Sequence, residues 1–263
     1  MSNFKVVLSA TKYKPSNTQS IEKDSEGYYK VRLGAYNVFN SVNDFYLAKG
    51  VNELVNNKNS FFWRRLKKGY LWGEMGHPKM KPGMSVQEFI NRNANIDQDR
   101  VACHIKDIEI EATNESVAGM EKYGKVLIVH GWVKPMGPMG PYLQEALDNP
   151  NVNIAFSVRS LSSDTVIDGI NVKETKAILG WDWVNEPGIN NANTFDMLTG
   201  KVVNTEHLDT TIQLEVNDAD LDNLKDTKNK ILDQESAETM TEIIDIIGSN
   251  LSKKTSVNRI LGW

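Results

Sequence analysis

Cysteine occurs once in this sequence, at Cys103 among 263 residues. A lone cysteine excludes an internal disulfide framework and any metal site built from several thiolates, and it fits a reducing compartment. No stretch approaches the roughly 18 consecutive apolar residues that a membrane-spanning helix needs. The opening MSNFKVVLSATKYK lacks a long apolar core before a small-residue cleavage site, so a secretory signal is not expected. Neither sign of charge is in large excess. A net charge of −4 gives no global footprint for nucleic acid. Internal repeats are absent.

What is present is a chain with 40% apolar residues, enough for a substantial core. The length suits one full domain with something extra. Charge is unevenly spread: from Lys201 onward there are twelve acidic and seven basic residues, which leaves +1 for the rest. Three segments follow. Residues 1–27 are polar and turn-rich, and a poorly ordered lead-in is expected there. Residues 28–200 form the body. Residues 201–263 form an acidic helical segment.

The body reads as α+β, with a mainly antiparallel β core or barrel flanked by a few helices and a helical C-terminal extension. Strand-like text begins at Tyr28. Val51, Leu54 and Val55 recur at helical spacing. Ser85 to Glu88 forms a capping box ahead of Phe89 and Ile90. Val101 to Ala112 and Lys125 to Val133 read as strands. Gly140-Pro141 opens a helix that Asn149-Pro150 closes. Val152 to Val158 alternates as a strand, Asp168-Gly169 is a two-residue hairpin signal, and Thr175 to Val184 alternates again. In the tail, Leu221, Leu224, Ile231 and Leu232 mark one helix. Met240, Ile243, Ile244, Ile247 and Leu251 mark another, opened by a capping box from Thr239 to Glu242.

Four histidines are available: His77, His104, His130 and His207. His77 sits in Gly73-Glu-Met-Gly-His-Pro78, a sharply defined loop that can fix an imidazole at a cleft or simply make a turn. His104 and His130 lie in strands, where a hydrogen-bonded structural role is expected, and His207 reads as solvated. Ser157 is either polar filler in a strand or a nucleophile, and the hairpin supplies a geometric argument for the second. If Ile167 opposes Ile170, ungapped pairing sets Ser157 opposite Gly180 and makes Asp182 its diagonal neighbour on the same face. Diagonal neighbours lie about 7–8 Å apart, room for an imidazole touching both, while Trp181 and Trp183 point to the other face. A single bulge would shift that register and remove the argument. In this reading His77 takes the proton from Ser157, and Asp182 fixes its tautomer and stabilises its charged form. Backbone amides are the usual oxyanion donors. Arg159 could support them or place a water; the alternative for it is a surface salt bridge.

Taken in order, Gly-Glu-Met-Gly-His-Pro, an Ile-Lys-Asp-Ile-Glu-Ile strand, Gly-Pro-Met-Gly-Pro-Tyr-Leu and Phe-Ser-Val-Arg-Ser resemble the prohead core protein proteases of tailed phages. That family is similar in fold to the herpesvirus assembly proteases. The resemblance spans roughly residues 28–196. Where the family usually has Gly-Val-Ser-Ser-Arg-Gly, this chain reduces the serine pair to Ser157-Val158 and carries Ala155 and Ser160 in place of the flanking glycines. The resemblance implies a serine endopeptidase with His77 and Ser157 in its active site and Asp182 as third member. Glu74, part of the same motif, reads as loop support and not as the acid of the triad. It further implies action inside the prohead in the host cytoplasm, on scaffold or core proteins and the major capsid protein precursor, with self-cleavage and room for self-association. No cofactor, nucleic acid or membrane partner is implied. By the same analogy, residues 201–263 are either a removable segment that restrains the enzyme or binds the scaffold, or an ordinary helical appendage. Two rival readings are a metal-dependent hydrolase using Glu74, His77, His104 and His130, and a non-enzymatic prohead scaffold or inactive relative.

Overall fold

The protein is described here from a computed structural model that covers residues 21–40, 43–185, 189, 192, 194, 217–231 and 237–249. Among the described residues the strands form two four-stranded sheets, not one closed barrel, and the helices flank them, so the α+β expectation holds. One sheet has the order β1 (Tyr29–Tyr36), β6 (Leu127–Pro135), β5 (Val101–Ala112), β4 (Trp72–Glu74), antiparallel throughout. The other has the order β2 (Val38–Phe39), β3 (Phe45–Leu47), β8 (Ile170–Val184), β7 (Ala155–Ile167). Within it β3 runs parallel to β8, a long-range pairing that nothing local in the sequence announces. The sheets meet where β4 approaches β8: Met75 bridges Trp183, and the Gly76 amide donates to the Trp183 carbonyl at 2.7 Å.

Local chemistry accounts for most elements. Asp168 and Gly169 both have positive φ, 53° and 79°, the pattern of the tight hairpin turn that matches strand twist. Helix α3 (Val86–Ala94) carries the capping box: Ser85 accepts from the Glu88 amide, and Glu88 accepts from the Ser85 amide. Helix α4 (Gly140–Asp148) has Pro141 in its first turn, where a missing N–H costs nothing. Helix α1 (Ala48–Asn56) packs on β8 through Gly50, where a Cβ would lie 2.2 Å from the Thr175 carbonyl oxygen. Helix α2 (Phe61–Lys68) was not anticipated, because its short amphipathic run lacks acidic start signals. Ser60 caps it, and Gly69 ends it in the left-handed conformation. β7 begins at Ala155 and not at Val152, since the Val152 amide closes a turn on Asn149 and the Ile154 amide is taken by Thr194.

The main core gathers around Trp181, Phe62, Phe156, Leu33 and Ile105, all nearly fully buried. Residues 1–20 of the lead-in lie outside the described residues. Residues 21–27 form a turn tied down by Asp24, which accepts from the Glu26 and Tyr28 amides and pairs with Lys106 on β5.

In the C-terminal segment, α5 (Asp218–Lys228) and α6 (residues 237–249) are helical. Thr239 lies inside α6 and does not cap it. Glu242, expected to complete that cap, instead accepts from the Phe61 amide and pairs with Arg64. Leu224, Met240, Ile243 and Ile244 share a buried cluster with Phe61 of α2, Ile90 and Ala94 of α3, and Ala177 and Leu179 of β8. Among the described residues no helix is long and apolar enough to cross a membrane.

Because Leu224 is fully buried in a cluster shared with the body, Leu224→Ala is expected to cost about 2–5 kcal/mol of whole-chain stability. Calorimetry should show one transition at lower temperature. An unchanged main transition would mean the helices are an independent appendage.

Candidate active site

The site is built where β4 touches β8, and two glycines make that approach possible. A Cβ on Gly73 would lie 2.3 Å from the Trp181 carbonyl oxygen and 2.8 Å from Cys103 Sγ, so only glycine allows the strand this close. Gly76, with φ +74°, then turns the chain through a conformation that glycine adopts without penalty. The turn delivers His77 onto β8, where its Nδ1 lies 2.7 Å from Asp182 Oδ2.

Asp182 has 1% of its surface exposed. Its carboxylate accepts three charged hydrogen bonds from Arg159: Nε at 3.0 Å, and Nη2 at 2.7 and 2.8 Å to the two oxygens. The Glu74 amide adds another at 2.9 Å. Burial pushes the Asp182 carboxyl up, but the Arg159 charge, the His77 hydrogen bond and charge, and the Glu74 amide outweigh it, and the net shift is below the ordinary value. A carboxylate at Nδ1 selects the imidazole tautomer with its proton there and leaves Nε2 as a base. His77 itself is about one-third exposed, so Nε2 can face a substrate.

Ser157 is cross-strand partner to Asp182 itself, which corrects the register expected from the sequence. Two irregularities in the hairpin, between Arg159 and Ser160 and between Leu161 and Ser162, each advance β8 by one residue. One slip would have moved Asp182 to the other face; two restore the face and bring it from the diagonal to the directly opposed position. Arg159 takes the place opposite Gly180. Trp181 lies in the core against Phe62, on the other face as expected. Directly opposed side chains have Cβ atoms about 4.5–5.5 Å apart, so Ser157 and Asp182 leave neighbouring positions on the same face of the hairpin. Among the described residues no hydrogen bond joins Ser157 to His77. Such bonds are often long without substrate and tighten in the complex. Beside Ser157 a cavity of about 10 Å³, walled by Gly34, Tyr36, Phe156 and Trp181, has room for a water but not a side chain.

Arg159 is not a surface salt bridge. It is buried, and its N–H groups go to Asp182, to Glu74 at 3.1 Å and, at longer range, to the Asn93 and Asn95 carbonyls. Glu74 is fully buried and makes no hydrogen bond or ion pair with His77. Its side chain faces Arg92, Arg100, Arg159 and the Asp97 amide. Arg92, Arg100 and Asp97 were not picked out from the sequence, where each looks like ordinary surface charge.

The other histidines lie elsewhere. His104 bonds Tyr28 and the Gly69 carbonyl, and His130 bonds Glu111. His207 lies outside the described residues. The ligand set of the metal-hydrolase reading is therefore dispersed, and among the described residues no three histidine, cysteine or acidic groups converge as a metal site.

The sequence profile of the Peptidase S80 family matches residues 8–246. The chain belongs to that family. The resemblance to phage prohead proteases read from the motifs is thereby shown. A capsid maturation protease of Pseudomonas phage phiKZ is 38% identical over 201 residues, covering 74% of this chain and 71% of that protein. The solved capsid assembly protease of bacteriophage T4 matches with a TM-score of 0.41 and 18% identity, over 65% of this chain and 92% of the other. This S80 member is a peptidase by family, and its buried acid lies within the matched region.

Its stability should depend on pH in two windows. Desolvation lowers the pKa of His104 and of His130 from 6.5. As the pH falls below 6.5 the unfolded chain takes up those protons first, so stability present above that value is lost. The Asp182 value is lowered from 3.8, so a second loss is expected as the pH falls from 3.8 through its folded value. Denaturant titrations from pH 8 down to about pH 2 check both. Asp182→Asn should shrink the lower step, to which Asp24, Glu88, Glu109 and Glu121 also contribute, and a flat profile between pH 6.5 and 5 would contradict the histidine assignment.

Proposed function

We propose that this S80 peptidase is a serine endopeptidase of capsid maturation, with Ser157 as nucleophile, His77 as general base and Asp182 as the third member. The observation that carries the reading is the 2.7 Å hydrogen bond from His77 to a buried, charged Asp182 whose cross-strand partner is Ser157. Nothing else among the described residues combines a partly exposed imidazole with a buried acid that stands directly across the strands from a hydroxyl residue.

In the proposed reaction Ser157 Oγ attacks the scissile carbonyl carbon while its proton passes to His77 Nε2. Asp182 keeps the Nδ1–H oriented and stabilises the imidazolium. The tetrahedral intermediate collapses as His77 returns the proton to the leaving amine. A water, deprotonated by the same imidazole, then releases the acyl group from Ser157. Backbone amides stabilise the oxyanion, since Arg159 is fully engaged by the carboxylates. Arg159 and Glu74 act as supports for Asp182.

The setting comes from the relatives. The phiKZ protein is named a capsid maturation protease, and the same role here means action inside the prohead in the host cytoplasm. The substrates are the major capsid protein precursor, scaffold or core proteins, and the enzyme itself. The burial of Leu224, Met240 and Ile243 against α2, α3 and β8 supports reading α5 and α6 as part of the folded peptidase.

Co-expression with the capsid precursor tests this directly. Wild type should cleave it, whereas Ser157→Ala and His77→Ala should each lose at least about 10³-fold in rate. Cleavage that survives Ser157→Ala would end the proposal, and no cleavage by any form, wild type included, would favour the scaffold reading.

A further inference from the structure

The Glu74 side chain takes no part in the reaction steps, yet it is wholly buried one backbone amide away from the catalytic acid. A buried carboxylate persists only where opposite charge or donors match it. Glu74 and Asp182 share one guanidinium: Arg159 Nη2 lies 2.7 Å from Asp182 Oδ1 and 3.1 Å from Glu74 Oε1. One positive charge cannot satisfy two buried negative ones. The second comes from Arg92 on α3, which meets Glu74 with two parallel hydrogen bonds at 2.9 and 2.5 Å. Arg100 is farther, at 3.7 Å, and nearly half exposed.

We propose that Arg92 is a positioning residue of this peptidase: by neutralising Glu74 it leaves Arg159 to hold Asp182, and so fixes His77 for proton transfer. This rests on the assignment of Ser157, His77 and Asp182 given above. The fold supports the link through α3 as well. The end of this helix carries partial negative charge on its free carbonyls. Arg65 reaches the Ala94 carbonyl, Arg92 that of Asn95, and Arg159 those of Asn93 and Asn95. The end of α3, Glu74 and the catalytic acid are therefore held by one set of guanidinium groups. Removing the Arg92 charge leaves Glu74 with the Asp97 amide, the more distant and half-exposed Arg100, and Arg159, which is then drawn from Asp182 toward it. Removing both charges together takes away the competitor.

The test uses full-length protein and a peptide copied from a cleavage site in the capsid precursor. Arg92→Gln should lower kcat about 10²-fold, the cost of a small misplacement in a catalytic constellation, with KM little changed. It should also move or abolish the downfield proton resonance of the His77 Nδ1–H bound to Asp182. Arg92→Lys, which cannot form the bidentate pair, should recover only part of the rate. The decisive variant is Glu74→Gln with Arg92→Gln: it should be faster than Arg92→Gln alone, which mere loss of packing would not produce. If Arg92→Gln does not fold, a folded double variant that hydrolyses the peptide supports the proposal, and a folded but inactive one overturns it. An Arg92→Gln enzyme with kcat within about twofold of wild type, or a double variant no faster than the single one, also overturns it; the twofold band is set against the 10²-fold effect expected. Ser157→Ala and His77→Ala run alongside: if they keep activity, the catalytic assignment fails, whereas if they are dead and Arg92→Gln is not, only the role of Arg92 fails.

Discussion

A carboxylate with almost no exposed surface must either be matched by charge and hydrogen bonds or take up a proton and lose its charge. Asp182 is matched. Arg159 supplies three of its bonds, the Glu74 amide one and His77 another. Ion pairs this deep do little for net stability compared with apolar residues of the same size, because desolvation cancels most of the attraction. In the proposed mechanism their place follows from what a charged acid does for an imidazole: it selects one tautomer, orients the ring and stabilises its protonated form. The geometry around Asp182, from the glycines of β4 to the end of α3, follows from keeping that carboxylate dry and charged.

The same constraint explains why the two sheets meet at this point. Asp182 belongs to one sheet and Glu74 to the other, and their contact requires β4 to come within backbone distance of β8. Gly73 permits that approach, and Gly76 then reverses the chain so that the imidazole returns over the acid. The hairpin contributes through its irregularities. With two one-residue shifts the register changes while the face is kept, so the serine and the aspartate come to stand directly opposite one another.

Much of this could be read in the residues. The hairpin turn, the strand from Val101 to Ala112, the capping box at Ser85 and the helix at Gly140-Pro141 all carry local signals, and all formed as those signals dictate. His77 stood out because glycines and a proline surround it, and Ser157 and Asp182 because an alternating hairpin sets them on one face. Helix α2, the parallel pairing of β3 with β8 and the two bulges carried no comparable signal. Arg92 was invisible for a different reason. A basic residue in the last turn of a helix is ordinary, and only its partner 18 residues away makes it part of the site.

The sequence by itself determined most of the element types, the turn that builds the hairpin and which imidazole, hydroxyl and carboxylate are proposed for the site, since each of those signals lies in residues a few positions apart. The tertiary structure alone decided the register across the hairpin, the burial that makes Asp182 depend on Arg159, the pairing of Arg159 with two buried carboxylates, and the docking of α5 and α6 on the body. Those outcomes come from groups distant along the chain competing for the same charges and the same space, and the result of that competition is settled only when the chain has closed on itself.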